Sequence, residues 1–152
     1  MSRRGRVARA ALALAVLSAG SAQAAGGVRY TGETEDGRAV KLVANAHGAV
    51  ERGAFTLTTE CTGGFDPFRA RVELRSPLDR SGPRGFRDKG GFVEEDDRFS
   101  GRYKYKVEAE RESERMLVGE ISLEVVFRRN GKEYTTCTAE KVVFSAKRRA
   151  ED

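Results

Sequence analysis

The sequence predicts an all-β protein, an antiparallel meander of about eight strands curled into a closed or nearly closed barrel, with a β-sandwich as the alternative. Three observations carry this expectation. Apolar and polar residues alternate along most of the chain beyond residue 24, the period of a strand with one buried face. Turn-forming residues separate the alternating runs at short intervals. No window shows a convincing apolar stripe at helical spacing.

Taken in order, Val40, Leu42 and Ala44 alternate with Lys41, Val43 and Asn45, between turns at Glu35-Asp36-Gly37 and His47-Gly48. Phe55, Leu57, Thr59 and Cys61 form the next apolar face and end at Gly63-Gly64. Phe68, Ala70, Val72 and Leu74 follow, set against Arg69, Arg71, Glu73 and Arg75. The cleanest alternation is Tyr103, Tyr105, Val107 and Ala109 against Arg102, Lys104, Lys106, Glu108 and Glu110. Glu108 to Met116 is rich in helix formers without helical periodicity, so it reads as a strand end, a charged turn at Ser113 and a strand start. Leu117, Gly119, Ile121, Leu123, Val125 and Phe127 continue to a turn at Asn130-Gly131. A single sheet this long must curl to bury its apolar face, and closure removes its exposed edges, hence the barrel.

The Asn130-Gly131 turn leaves two registers. A two-residue turn places Cys137 opposite Glu124, on the wet face. A three-residue loop with Gly131 left-handed places it opposite Leu123, on the apolar face. Cys61 shares its face with Phe55 and Leu57, so the second register is expected, with Glu133 turned inward near Phe127. Two segments break the rhythm. Ser76 to Gly91, with Pro77, Pro83 and the lone aromatic Phe86, reads as one long irregular connection, and Lys147 to Asp152 as a mobile tail.

Residues 1–24 carry Arg3, Arg4, Arg6 and Arg9, an apolar run from Ala10 to Ala19, and Ala22-Gln23-Ala24. These are the basic head, apolar middle and small-x-small exit of a secretory signal peptide. The apolar run is shorter than the about 20 residues that cross a bilayer. Gly5-Arg6 stand where a twin-arginine signal wants a large apolar residue, so ordinary export is expected, to a secreted or periplasmic location. Removing 24 residues from 152 leaves 128, one domain over 25–146 plus the tail. The whole chain has 28 Lys+Arg against 23 Asp+Glu; without the leader's four arginines the balance is 24 to 23. The net charge of +5 falls to +1, so the basicity belongs to the leader and no nucleic-acid partner is expected.

The two cysteines, Cys61 and Cys137, read as one disulfide in an oxidising compartment. With His47 the only histidine, a metal site built on the cysteines lacks further ligands. Little catalytic chemistry is on offer. His47 precedes Gly48 in a turn, no serine is framed as a nucleophile elbow, and no free thiol remains. Glu94, Glu95, Asp96 and Asp97 lack the spacing of a calcium loop and read as a solvated hairpin tip. No metal and no cofactor is expected.

Two binding candidates remain. Arg69, Arg71, Arg75, Arg102, Lys104 and Lys106 would make a basic stripe if their two strands are neighbours. Arg84, Phe86 and Arg87 offer a loop site, with Phe86 as an anchor or as a cap on the barrel's open end. Tyr30, Tyr103 and Tyr105 point inward, where Glu60 and Glu133 are the acids near the barrel ends.

The motif Tyr30-Thr31-Gly32-Glu33-Thr34 followed by Gly37, the Phe99-Ser100-Gly101-Arg102-Tyr103 midpoint, and the early and late cysteines resemble a diffuse group of small exported bacterial all-β proteins. The resemblance implies the fold and brings no catalytic residues. The expected function is a secreted, non-catalytic, monomeric binding module for an extracellular ligand or protein. The alternatives are an inhibitor or interaction protein acting on an extracellular enzyme or wall polymer, and a small-ligand barrel enzyme.

Overall fold

A computed structural model describes residues 27–75, 78–81 and 85–150. The leader at 1–24 and Arg84 of the candidate loop lie outside the described residues. The strands are β1 (Val28–Thr34), β2 (Ala39–Ala44), β3 (Val50–Cys61), β4 (Phe68–Arg75), β5 (Asp79–Ser81), β6 (Gly85–Glu95), β7 (Phe99–Ser113), β8 (Met116–Arg129) and β9 (Lys132–Arg148). One 3-10 turn, Thr62–Gly64, is the only helical element among the described residues. β5 is a three-residue stub, so the expected meander of about eight full strands is present.

All pairings are antiparallel, in one sheet ordered β4-β3-β2-β1-β9-β8-β7-β6-β5. Two meanders, β1–β4 and β5–β9, are thus joined where the first strand pairs with the last. β9 makes a second pairing, with β3, through Glu60↔Thr138 and Cys61↔Cys137. It reaches both partners because it bends. The β8–β9 register shifts between Ile121 and Leu123, where Lys141 is left-handed (φ 47°) and donates its amide to the Ser122 hydroxyl at 2.9 Å. Such a bulge kinks its strand. The half of β9 before it meets β3, and Phe144–Arg148 after it meet β1.

The sheet therefore rolls into a near-ring, neither a closed barrel nor two separate sheets. Its inner face is the single apolar core: Tyr30, Phe55, Leu57, Val72, Val107, Ile121, Val125 and Phe144 are almost fully buried. Phe55 meets Phe144 edge-on at 4.9 Å, and Phe68 meets Phe127 at 5.4 Å. The disulfide Cys61–Cys137 clips a directly opposed cross-strand pair, with Cα atoms 3.9 Å apart.

Four expectations are corrected. First, Ser76–Gly91 is not one irregular connection. β6 begins at Gly85 and pairs with β7 along its whole length, and the run was illegible because its inward positions include Asp88 and Gly90. Second, Cys137 lies opposite Val125, in neither expected register. The turn is the two-residue kind, Asn130 and Gly131 both left-handed (φ 51° and 77°), and a bulge after Arg128↔Glu133 then shifts the ladder by one. That extra residue puts Cys137 on the buried face and leaves Glu133 exposed rather than turned inward. Third, Lys147 and Arg148 are not tail but strand, paired with Thr31 and Tyr30. Fourth, β4 and β7 are not hydrogen-bonded neighbours in the sheet, so the strand pairing on which the expected stripe of Arg69, Arg71, Arg75, Arg102, Lys104 and Lys106 was conditioned is not made.

Candidate functional groove

The near-ring fails to close between β4 and β6. Among the described residues β4 pairs only with β3, and β5 covers β6 only along Gly85–Arg87. A groove of about 570 Å³ occupies the gap. One wall is the outer row of β4, Arg71, Glu73 and Arg75; the other is Gly91, Phe92 and Glu94 of β6 with Tyr105 of β7 behind them.

The β6–β7 register builds the second wall. Phe86 faces Ala109, Asp88 faces Val107, Gly90 faces Tyr105, Phe92 faces Tyr103 and Glu94 faces Gly101. Because side chains alternate, Asp88, Gly90, Phe92 and Glu94 all share the concave face with the two tyrosines. Each tyrosine then reaches diagonally, in opposite directions. Tyr105 donates its hydroxyl to Asp88 Oδ2 and Tyr103 to Glu94 Oε2, both at 2.9 Å. Phe92 stacks on Tyr103 with ring centres 4.3 Å apart and planes 10° apart. Tyr103 meets Phe127 at 6.4 Å, and Phe127 meets Phe68 of β4, so a chain of rings floors the ring's open side.

Burial, followed by the bond to Glu94, pushes the Tyr103 phenol up to about 12. Burial and the Asp88 bond do the same for Tyr105. Both phenols are therefore donors at any physiological pH, and each carboxylate keeps free lone pairs for a ligand. Across the groove Glu73 takes Arg71 Nε at 3.0 Å and Arg75 Nη2 at 3.6 Å. These exposed pairs are worth little as stability, so the guanidiniums are free to exchange partners.

Of the sequence candidates, Arg71, Arg75 and Tyr105 line this groove. Arg69 is exposed on β4; Arg102 and Lys104 line a separate hollow of about 320 Å³ on the convex face with Glu95, Glu124 and Glu133. Lys106 is exposed beside them, and Arg87 is exposed on the outer face of β6. Phe86 is 2% exposed and belongs to the core. Glu60 is exposed at the β3–β9 junction, and Glu133 accepts from the Thr136 hydroxyl. The acids that do meet the tyrosines, Asp88 and Glu94, were missed. The signal available was the spacing Phe86, Asp88, Gly90, Phe92, Glu94, a period of two with polar members. His47 sits in an Asx turn, its amide donating to Asn45 Oδ1. Asp96 accepts amides of Arg98 and Phe99, which holds its carboxyl below the usual range and makes the hairpin tip. Among the described residues no group of three or more His, Cys, Asp or Glu is placed to hold a metal ion.

A second surface is aromatic. Phe65, Phe99 and Tyr134 are 37%, 39% and 43% exposed yet contiguous, Tyr134 lying 4.6 Å from Phe65 and 6.0 Å from Phe99. Arg129 lies over the Phe99 ring at 5.5 Å. Tyr134 is the extra residue of the bulge that sets the Cys137 register. No helix among the described residues is long and apolar enough to cross a membrane. The chain matches no family model, and neither a curated protein nor a solved structure is significantly similar to it.

Proposed function

We propose that this chain is an exported, non-catalytic binding module that takes its ligand in the groove between β4 and β6. The observation that carries the reading is the unclosed side of the sheet. A fold that otherwise pairs its edges leaves this one open and lines it with aromatic faces, acceptors and guanidiniums. Concave sites of mixed aromatic and sparse polar lining are where small or extended ligands bind. Export is supported by the charge and apolar pattern of residues 1–24 and by the disulfide. The test is a screen of extracellular glycans, anionic lipid headgroups and peptides against the isotope-labelled exported protein. Resonance shifts concentrated at Arg71, Arg75, Gly91, Phe92 and Tyr105 support the groove. Shifts confined to other surfaces overturn it.

A second reading, an interaction or inhibitor protein, is supported by the contiguous rings of Phe65, Phe99 and Tyr134. Exposed aromatic patches with an adjacent arginine are characteristic of protein interfaces. Shifts centred on those rings with an extracellular protein would favour it.

A further inference from the structure

We infer that the groove's ligand is an extended acidic peptide, which adds as a strand to the open edge of β6 across Gly90-Gly91. This deepens the groove reading and rests on it. From Asp88 to Glu95 β6 pairs with β7 on one side only, so among the described residues half of its N–H and C=O groups there are unladdered. An extended polypeptide is the ligand whose own backbone matches such a row. The middle of that edge is Gly90-Gly91, both exposed. Their missing Cβ atoms make room inside the fold for the Tyr105 ring and the Tyr103 carbonyl, and they leave this stretch of the edge without side chains of its own that a docking strand would have to pass.

Charge selects the peptide. The facing wall holds two guanidiniums, Arg71 and Arg75, and Glu73 is the one carboxylate that serves both, which leaves that wall net positive. Glu94 keeps its charge but stands on the concave face with Tyr103, whereas the arginines stand on the outer row of β4, so the outward side chains of an added strand meet the guanidiniums rather than that carboxylate. A strand laid on β6 would present alternate side chains to the arginines, where a carboxylate gains charge-assisted bonds. Apolar side chains between them would lie against Phe92 and Tyr105. The charges along β4, alternating within an exposed edge, also discourage a second copy from pairing there.

The test uses an octapeptide of alternating valine and glutamate, capped at both ends, titrated into the isotope-labelled exported protein. Controls are two analogues N-methylated at every valine or at every glutamate, an alternating valine–lysine peptide, and free glutamate. The parent is expected to shift the groove resonances and protect alternate amides between Asp88 and Glu95 from exchange. One methylated analogue should lose binding, because one phase of its amides faces β6. Arg71→Gln and Arg75→Gln should each weaken the parent about tenfold, the size of a charge-assisted bond. These side chains are exposed, so an unchanged melting temperature shows that the fold is kept. If free glutamate or both methylated analogues shift the groove as well as the parent, strand addition is overturned while the groove reading stands. If the parent's shifts fall on Phe65, Phe99 and Tyr134 instead, both fall. No shift at millimolar parent peptide overturns the inference.

Discussion

Tyr105 hands its hydroxyl to Asp88 across the flat of Gly90, and it can do so only because Gly90 has no side chain. A Cβ built there would stand 2.7 Å from the phenol oxygen and 2.9 Å from the ring carbon bearing it. Gly90→Ala is therefore expected to drive the ring aside, break the Asp88 bond and cost about 1–3 kcal/mol, as overpacking does. Chemical denaturation measures the loss. The Tyr105 ionisation should fall back toward the ordinary tyrosine value in the same variant, and an unchanged ionisation would refute the contact.

The two groove phenols set an alkaline limit. In the folded protein both are pushed up to about 12, above the ordinary tyrosine value of 10.0. The protonated form is thus favoured by folding. Its stabilisation is complete below pH 10 and is lost as pH rises from there toward 12. Ultraviolet titration should show two phenols ionising near 12. Tyr103→Phe and Tyr105→Phe should each remove one of them. A titration with no phenol above 11 would contradict the geometry.

The Cys61–Cys137 bond closes a loop of 76 residues. The chain-entropy account puts that at about 4 kcal/mol, so Cys61→Ala with Cys137→Ala should lower unfolding free energy by roughly 2–5 kcal/mol. Denaturant melts read the change directly. Native protein with two titratable thiols would be the contrary result.

Phe86 tests whether the segment before β6 is core or contact surface. The ring is buried with Ala109 as its cross-strand neighbour. Phe86→Ala should cost about 3–5 kcal/mol, the loss for a buried aromatic. A melting curve that does not move would mean that the ring packs against nothing that folding requires.

Intact mass of the protein collected outside the cytoplasm should lack residues 1–24. That outcome is expected from the Ala22-Gln23-Ala24 exit after the apolar run. A mass that includes Met1 would remove the export reading.

Strand existence, and which side of most strands is wet, are legible in the residues alone. Tyr103, Val107 and Ala109 against Arg102, Lys104 and Glu108 announce their two faces through local alternation alone. The disulfide was legible for a different reason, since two thiols and one histidine leave few other arrangements. Register was not. Whether Cys137 faces Leu123, Glu124 or Val125 depends on the length of the Asn130-Gly131 turn and on one bulged residue, Tyr134, which packs against Phe65 and Phe99 from elsewhere in the chain. The groove was not legible either. Asp88 and Glu94 interrupt the apolar period of β6, so the sequence shows an irregular stretch. They become tolerable on an inner face only when β7 brings two phenols to them, a match that belongs to strand pairing and not to either strand. Alternation decided the strands because it acts within a few residues. The open edge between β4 and β6 was decided by closure of the whole sheet, which no local stretch encodes.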